Sequence, residues 1–494
     1  MQPPRAAARL SRPSKAIARV HPTHMAMAML TKAAHVLRRL PAMSAARPCV
    51  LGKASRPAHN TCHRFLTTNK VHGLFINYID HDRPHHFARP SSNSVIDAML
   101  EFLPDDDKDK RRWWWSVLDH SNGLLLCNMG TPELCVCNPA TRQCTFIPWA
   151  WRWVGGIYLA FDPAGSPHYE VLVVPAVPEP EKPPKQAIGK GNEEKPLDRL
   201  FADEDNDPRR LMESEWPPTP WRLNMFSSRT CQWEERDFIR QGEPAGTVGD
   251  MLVDRAEPSG MGPRQRYAVY YQGALYVHCR GFFVLRLSLS DSTYQVIKTP
   301  SYGENDVFVK PYLGRSEKGV YFGVTEESQL RVWILSELSE QQMEWVLKYQ
   351  HDLAHYAQHV GKYGRQMDAH WIVHDALDTD HEDGDVAAIT LPKERFDWDS
   401  DNDDFFTMKL DADEYPKHFD ILGLHPYKDV VYLTTVFEVV GYHLNTSKVQ
   451  YLGNSRPSPK SYYYGHSNGI FEAFVYTPCM VGELIAGNID QTSS

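Results

Sequence analysis

Acidic residues are missing from the first 70 residues of this chain, which carry 13 lysines and arginines, and the first acid is Asp80. A start that is free of acids and rich in Ala, Arg and Ser is typical of organellar transit peptides, and equally of a disordered basic tail. The net charge of the whole chain is −9, so the remainder is strongly acidic. An acidic surface argues against a general nucleic-acid-binding function.

The chain also lacks any run of 18 apolar residues, so no membrane-spanning helix is expected. Its nine cysteines are an odd number spread over 494 residues, unlike the dense cysteines of a small disulfide scaffold. This usage favours a reducing compartment. We therefore expect the cytoplasm or the nucleus, and the acid-free start leaves a mitochondrion or a chloroplast open as the alternative.

From Val71 onward, short apolar and aromatic runs alternate with turn residues. Runs of about four to eight residues at a spacing of about 8–12 indicate an all-β sandwich, barrel or propeller. Four segments repeat one pattern of apolar runs and short polar turns, at residues 123–149, 273–300, 319–349 and 429–453. A period near 40–50 residues built from four strands is typical of propeller blades. We predict an all-β propeller of about six four-stranded blades.

Four cysteines lie close together in the first repeat, Cys127, Cys135, Cys137 and Cys144. The strand period of two puts Cys135 and Cys137 on one face of one strand, and Cys144 begins the partner strand. Their spacing, C-x₇-C-x-C-x₆-C, contains none of the paired C-x₂₋₄-C knuckles of zinc sites. We interpret the thiols as small buried apolar side chains and predict no metal and no cofactor.

The segment LLLCNMGTPELCVCNPATRQCTFIP resembles the opening of the F-box-associated propeller domain of plant F-box proteins. Three later segments resemble the elements that follow in that domain: GIYLAFDPAGSPHYEVLVV, WRLNMFSSRTCQWEE and YAVYYQGALYVHCRGFFVLRLSLSDSTYQVIKTP. The resemblance covers residues 71–480 and implies a kelch-like β-propeller. It also implies that this propeller binds a target protein and catalyses no reaction.

Residues 25–68 carry a helical pattern, because Leu30, Leu37 and Leu40 recur on one face and Pro41 ends the helix. The stretch MLTKAAHVLRRLPAMSAARPCVLGKASR resembles a degenerate F-box that lacks the leading Leu-Pro and has Ser55 where the family has Trp. The resemblance implies that the segment docks onto a Skp1-like adaptor and its Cullin complex. The implied contact residues are Leu30, Val36, Leu37, Leu40, Pro41, Cys49 and Val50.

Three motifs typical of other chemistries occur within residues 71–480. GHSNG at Gly465–Gly469 matches a nucleophile elbow, but a strand-like run follows it, and HSNG also occurs at His120–Gly123. HDLAHYAQH would line His351, His355 and His359 along one face of a helix, which we interpret as a solvated helix. Acidic runs within residues 378–404 lack the Gly and Glu positions of an EF-hand calcium loop.

The predicted organisation is a disordered basic tail at 1–24, F-box-like helices at 25–68, the propeller at 71–480 and a C-terminal tail at 481–494. A Pro-, Glu- and Lys-rich disordered insertion is predicted at 176–220. The expected function is that of a substrate-recognition subunit of an SCF-type E3 ubiquitin ligase. The alternatives are a propeller scaffold without ligase coupling and, third, a hydrolase that uses a channel-lining acid or His cluster.

Overall fold

The structure is a computed structural model that describes most of the chain after residue 69. The described residues are 70–79, 83–90, 96–103, 115–129, 133–148, 155–180, 208–254, 267–302, 309–326, 328–339, 342–354, 371–374, 419–435, 437–457 and 469–480, with single residues 81, 356 and 484. Strands dominate this part of the chain, and its helical residues are confined to two six-residue helices and to Ala354 and Tyr356, so the expected all-β class is confirmed.

Three four-stranded antiparallel sheets take their strands from one continuous stretch each, in chain order. They are β3 (Ser116–Ser121), β4 (Leu124–Asn128), β5 (Glu133–Asn138) and β6 (Gln143–Pro148); β17 (Tyr312–Ser316), β18 (Gly319–Glu326), β19 (Gln329–Ser339) and β20 (Gln342–Asp352); and β22 (Asp420–Leu424), β23 (Val430–Thr435), β24 (Glu438–His443) and β25 (Lys448–Asn454). The last three strands of each sheet come from a predicted repeat, because each repeat begins at the second strand or one residue before it.

A fourth four-stranded sheet joins distant parts of the chain. Its order is β21-β2-β1-β26, where the strands are β1 (Leu74–Tyr78), β2 (His85–Ala88), β21 (Ile372–His374) and β26 (Ile470–Val475). The N-terminal side of the described chain therefore pairs with its C-terminal side, since Phe75 lies opposite Phe474.

One eight-stranded sheet contains two further groups of four strands. The first group is β7 (Gly155–Ala160), β8 (Glu170–Pro175), β10 (Trp221–Ser227) and β11 (Gln232–Gln241), and the second is β13 (Ala268–Tyr271), β14 (Ala274–Cys279), β15 (Phe283–Ser288) and β16 (Thr293–Lys298). The outer strands β11 and β16 join the groups by a short parallel pairing. The end strands β7 and β13 contact each other, so the sheet nearly closes on itself.

Residues 208–220 are folded, so the prediction of a disordered insertion over 176–220 is wrong for this part. Helix α1 (Pro208–Glu213) leads into β9 (Glu215–Trp216), which pairs with β12 (Gly246–Thr247), and helix α2 (Val248–Val253) follows. The reason is apolar burial, since Trp216 is buried edge-on against Trp221 at a ring distance of 5.6 Å. The disorder prediction rested on the low average hydrophobicity of residues 176–220, and that average does not reflect single buried tryptophans such as Trp216.

Each sheet or four-strand group meets its neighbours through its first strand, except that the fourth sheet uses both β26 and β1. In the described chain β3 contacts β7, β7 contacts β13, β13 contacts β17, β17 contacts β22, and β22 contacts β26, whose sheet returns to β3 through β1. Each of six apolar clusters lies between two sheets or four-strand groups that are neighbours in this order. The core is therefore divided among the interfaces rather than gathered in one place.

Side chains on these first strands hydrogen-bond to the backbone of the next. Asn77 donates to Val117 O at 2.7 Å and accepts from Val117 N at 3.1 Å. Asp119 Oδ2 accepts from Leu159 N at 2.8 Å, and Ser121 Oγ donates to Phe161 O at 3.0 Å. Each of these bonds links residues 40 positions apart, which agrees with the repeat length expected from the sequence.

We predict that Gly423→Ala destabilises the fold, because a Cβ on this β22 residue would lie 2.3 Å from Val475 Cγ2 on β26. Overpacking of this kind costs about 1–3 kcal/mol. The matched control is Gly165→Ala on an exposed turn, where the nearest contact would be an ordinary 3.6 Å. Urea unfolding would show a lower midpoint for the first variant alone, and equal midpoints would contradict the close packing of β22 on β26.

Candidate functional site

A pocket opens where the first strands of the sheets converge, and we call it the central pocket. Five chain segments line it: the end of β3, strand β13, strand β17, the loop after β22 and the end of β26. The polar lining side chains used below are His120, Asn122 and Arg315, and the enclosed volume is about 50 Å³. Space of this size holds about four water molecules, at about 10–15 Å³ each on the same measure.

Arg315 supplies the positive charge of the central pocket. It lies near the end of β17, and its Nη2 donates to Asn122 Oδ1. It makes no ion pair with any carboxylate of the described residues within 4.0 Å. Burial lowers the pKa of the guanidinium, against the opposite effects of Tyr427, Asp162 and Tyr271. Arginine nevertheless remains charged in proteins.

Asn122 is held in place from two sides. It occupies the two-residue turn between β3 and β4 with φ 45°, followed by Gly123 with φ 90°. Positive φ at both positions is the geometry of a type I′ hairpin turn, for which Asn-Gly is the preferred pair. Its Nδ2 donates to Phe161 O at 2.5 Å, so its Oδ1 is directed to Arg315. The turn therefore fixes the position of the guanidinium.

His120 lies beside Arg315 and is neutral at physiological pH. Burial and the nearby Arg315 lower the pKa of His120 to about 4. Its ring packs edge-on against Phe474 at 5.5 Å, and its Nδ1 has no hydrogen-bond partner among the described residues. A neutral imidazole can donate or accept one hydrogen bond without adding charge to the pocket.

A second polar cluster surrounds the buried carboxylate of Asp429 and joins two neighbouring sheets. Its Oδ2 accepts from Lys318 Nζ and, at 2.9 Å, from Asn445 Nδ2, while its Oδ1 accepts from the Tyr321 hydroxyl at 3.2 Å. The Tyr349 hydroxyl lies 3.1 Å from the same Oδ2. Lys318, Asn445 and Tyr321 donate to both oxygens of the carboxylate, which is what burial of a charge requires.

The balance of these contacts lowers the pKa of Asp429. Burial by itself raises it, but the hydrogen bonds from Lys318 and Asn445 and the charge of Lys348 outweigh that effect. Burial likewise raises the pKa of Tyr349 to about 12, with help from the Asp429 charge. The cluster borders an open cleft of about 390 Å³ that is also lined by Lys428. Its chemistry is that of a buried carboxylate with satisfied hydrogen-bond partners that links two sheets.

The four cysteines of the first repeat lie together on one face of their sheet, which confirms the shared face predicted for Cys135 and Cys137. Cys127 on β4 pairs with Cys135 on β5, and Cys137 on β5 pairs with Cys144 on β6. Hydrogen bonding to Cys135 and burial raise the pKa of Cys144, so the thiol stays protonated. Protonated thiols are poor nucleophiles and poor metal ligands. In the described part of the chain no three His, Cys, Asp or Glu side chains are grouped to hold a metal ion.

The remaining predicted site residues have different outcomes. The adaptor-contact residues lie outside the described residues, as do His355, His359 and the acidic runs at 378–404. His351 lies in strand β20 and not on a helix, so that prediction is wrong; it faces Ser447 Oγ at 3.3 Å. Gly469 precedes strand β26, which excludes the helix that a nucleophile elbow needs.

The sequence reading did not identify Arg315 as a functional residue. It stands in PYLGRSEKG, where no motif or spacing marks it. The sequence feature that could have pointed to the pocket is HSNG at His120–Gly123. It contains both His120 and Asn122, but it was interpreted only as a turn. Arg315 and Asn122 are 193 positions apart in sequence and belong to different sheets. Their contact therefore depends on how the sheets pack, which a local sequence pattern does not predict.

No family model matches this chain, and neither does any curated protein. One similar solved structure is the extracellular domain of a putative one-component system from B. thetaiotaomicron, at 9% identity and a TM-score of 0.21. The match covers 70% of this chain and 51% of that one, so the chain spans about half its length. Among the described residues, neither short helix could cross a membrane.

We predict that Asp429→Asn lowers the free energy of unfolding by about 2–3 kcal/mol at neutral pH, because an amide offers donors to partners that already donate. Lys318 is 55% exposed, so its ion pair contributes little, and the bonds from Tyr321 and Asn445 carry most of the effect. The matched control is Asp352→Asn, which keeps the cap that Asp352 Oδ1 provides to Ala354 N.

The wild-type protein and the Asp429→Asn variant also give a prediction for the pH dependence of stability. Because the pKa of Asp429 is lowered on folding, its stabilisation is fully present above the ordinary carboxyl pKa of about 3.9 and is lost as the pH falls through the folded value. Urea unfolding between pH 7 and pH 3 should therefore show a constant difference from the Asn variant that shrinks only below about pH 4. A difference that grows on acidification would contradict the assigned contacts.

Proposed function

We propose that the described chain forms a six-bladed β-propeller. Six groups of four strands, the chain of contacts between their first strands and the six apolar clusters between neighbouring groups support this architecture. The sheet β21-β2-β1-β26 is the blade that closes the ring, because it unites strands from both sides of the chain. Closure of this kind protects the strand edges that an open arrangement would expose.

The propeller serves recognition, and its proposed role is that of the substrate-recognition subunit of an SCF-type E3 ubiquitin ligase. The observation that carries the recognition role is the convergence of five separate chain segments on one polar pocket. Concave sites that are built from several segments are typical of binding sites. In this role the chain needs no catalytic residue, because it raises the effective concentration of a target near the ligase.

Residues 25–68 provide the proposed coupling to the ligase. The matching apolar positions, Leu37 and Leu40 among them, would face a Skp1-like adaptor that connects to the Cullin complex. The cytoplasm or nucleus is the corresponding compartment. The support for this coupling is the sequence resemblance alone, since these residues lie outside the described part of the structure.

A second function is favoured by two features of the same region. The F-box pattern lacks its leading Leu-Pro and has Ser55 in place of a large aromatic anchor, and the first 70 residues carry no acid. In this alternative the propeller is a non-catalytic scaffold without ligase coupling, in a mitochondrion or a chloroplast. The ring of blades and the central pocket are common to both functions.

We predict that the full-length tagged chain co-purifies a Skp1-like adaptor and a Cullin, and that Leu37→Asp with Leu40→Asp reduces adaptor recovery at least tenfold. Adaptor recovery should fall because each introduced carboxylate would lose its hydration in the contact with the adaptor, which is energetically unfavourable. The matched control is Arg38→Gln on the polar face of the same segment. Quantitative mass spectrometry measures recovery, and a folded wild-type chain that recovers no adaptor would exclude the ligase role.

We predict that residues 1–60 fused to a fluorescent protein remain in the cytoplasm and nucleus. Import into a mitochondrion or a chloroplast would instead favour the scaffold, because a transit peptide is removed on import together with any F-box upstream of the cleavage site. The control replaces five of the arginines in this segment by glutamate, which abolishes transit activity without changing its length. Fluorescence microscopy and the size of the processed fusion distinguish the outcomes.

A further inference from the structure

We infer that the central pocket is a carboxylate-binding site in which the Arg315 guanidinium receives the carboxylate of an acidic side chain, a chain terminus or a small free acid. This inference deepens the proposed recognition function by naming the chemistry of what is recognised. It does not depend on coupling to a ligase.

The first argument is the unmatched charge. A guanidinium offers five N–H donors, and the described residues supply one acceptor, Asn122 Oδ1. Arg315 is partly buried, and charges withdrawn from water are usually paired, because an unpaired charge becomes less favourable as the dielectric falls. Two other partly buried arginines of the described chain have carboxylates, since Arg331 pairs with Glu326 and Arg240 pairs with Glu215 at 2.7 Å. The vacant donors of Arg315 are therefore a site for an incoming anion.

The second argument is preorganisation. The Asn122 amide is fixed by its turn and by Phe161 O, and it holds one edge of the guanidinium. The remaining donors keep a defined orientation, which reduces the ordering that a ligand must impose. Arginine presents a planar fork that matches the two oxygens of a carboxylate. His120 adds one further hydrogen-bonding atom at Nδ1.

The third argument is size and net charge, which select the class of anion. The volume of about 50 Å³ admits a carboxylate with one or two methylenes, and any larger ligand would extend out of the mouth of the pocket. His120 is neutral near pH 7, so the pocket holds one positive charge. Asp162 is close enough to act on Arg315 electrostatically, and its charge disfavours a dianion. A monoanionic carboxylate fits this balance better than a phosphate.

Isothermal titration of the full-length protein tests the site with acetate, with the neutral analogue acetamide, and with inorganic phosphate at matched ionic strength. Two peptide pairs separate the sources: one with an internal Glu against Gln, and one with a free against an amidated C-terminus. We expect acetate to bind with a dissociation constant in roughly the millimolar range, as befits a four-atom ligand, and acetamide not to bind. Tighter binding of a charged peptide than of acetate assigns the carboxylate to a protein partner, and binding of acetate alone assigns it to a small acid.

Two variants connect the binding to Arg315. Arg315→Gln should weaken acetate binding at least tenfold, and the control Arg286→Gln, whose Nε donates to Tyr276 3.3 Å away in another part of the fold, should leave it unchanged. Asn122→Asp provides a second test if the first variant is unstable, because its carboxylate replaces the amide oxygen that faces Arg315. It also removes the Nδ2 donor to Phe161 O, so its urea midpoint is measured alongside acetate binding. That internal carboxylate should also abolish acetate binding.

Three results would overturn the inference: no acetate binding by the wild-type protein, equal binding by Asn122→Asp, or binding of phosphate in preference to acetate. Each of these results leaves recovery of the adaptor by the full-length chain unaffected. Failure of the carboxylate site and failure of the ligase role are therefore distinguishable.

Discussion

Buried backbone groups that face a neighbouring sheet must find partners, because the first strands of adjacent sheets do not pair with each other through a ladder. Polar side chains meet this requirement here. Asn77, Asp119 and Ser121 each reach the backbone of the next first strand. These bonds fix the distance and the angle between sheets, while the apolar clusters on either side supply most of the burial energy.

The central pocket depends on the same bonds. Ser121 and Asn122 are consecutive, and both donate to Phe161 O, so the contact that joins two sheets also orients the amide that holds Arg315. The site is therefore attached to rigid parts of the fold rather than to a long loop. Rigid attachment is what precise placement of a charged group requires.

The sequence predicted the local elements well and the distant contacts poorly. Alternation and turn residues were sufficient for β4 to β6 and for the shared face of Cys135 and Cys137, because strand period and turn chemistry are properties of neighbouring residues. His351 was assigned to a helix because its spacing fits a helical face, but pairing with β19 overrode that preference. The addition of β21 to the β1 sheet and the approach of Arg315 to Asn122 depend on tertiary packing alone.

The sheet that contains β1 has a consequence for how the protein is made. Its strand β1 leaves the ribosome early, yet one of its edges stays open until β26 has been synthesised. An open edge with the sequence LFINY is a template for intermolecular pairing. Nascent chains should therefore require chaperone protection through most of translation, and this long-range pairing should be a slow step in their maturation.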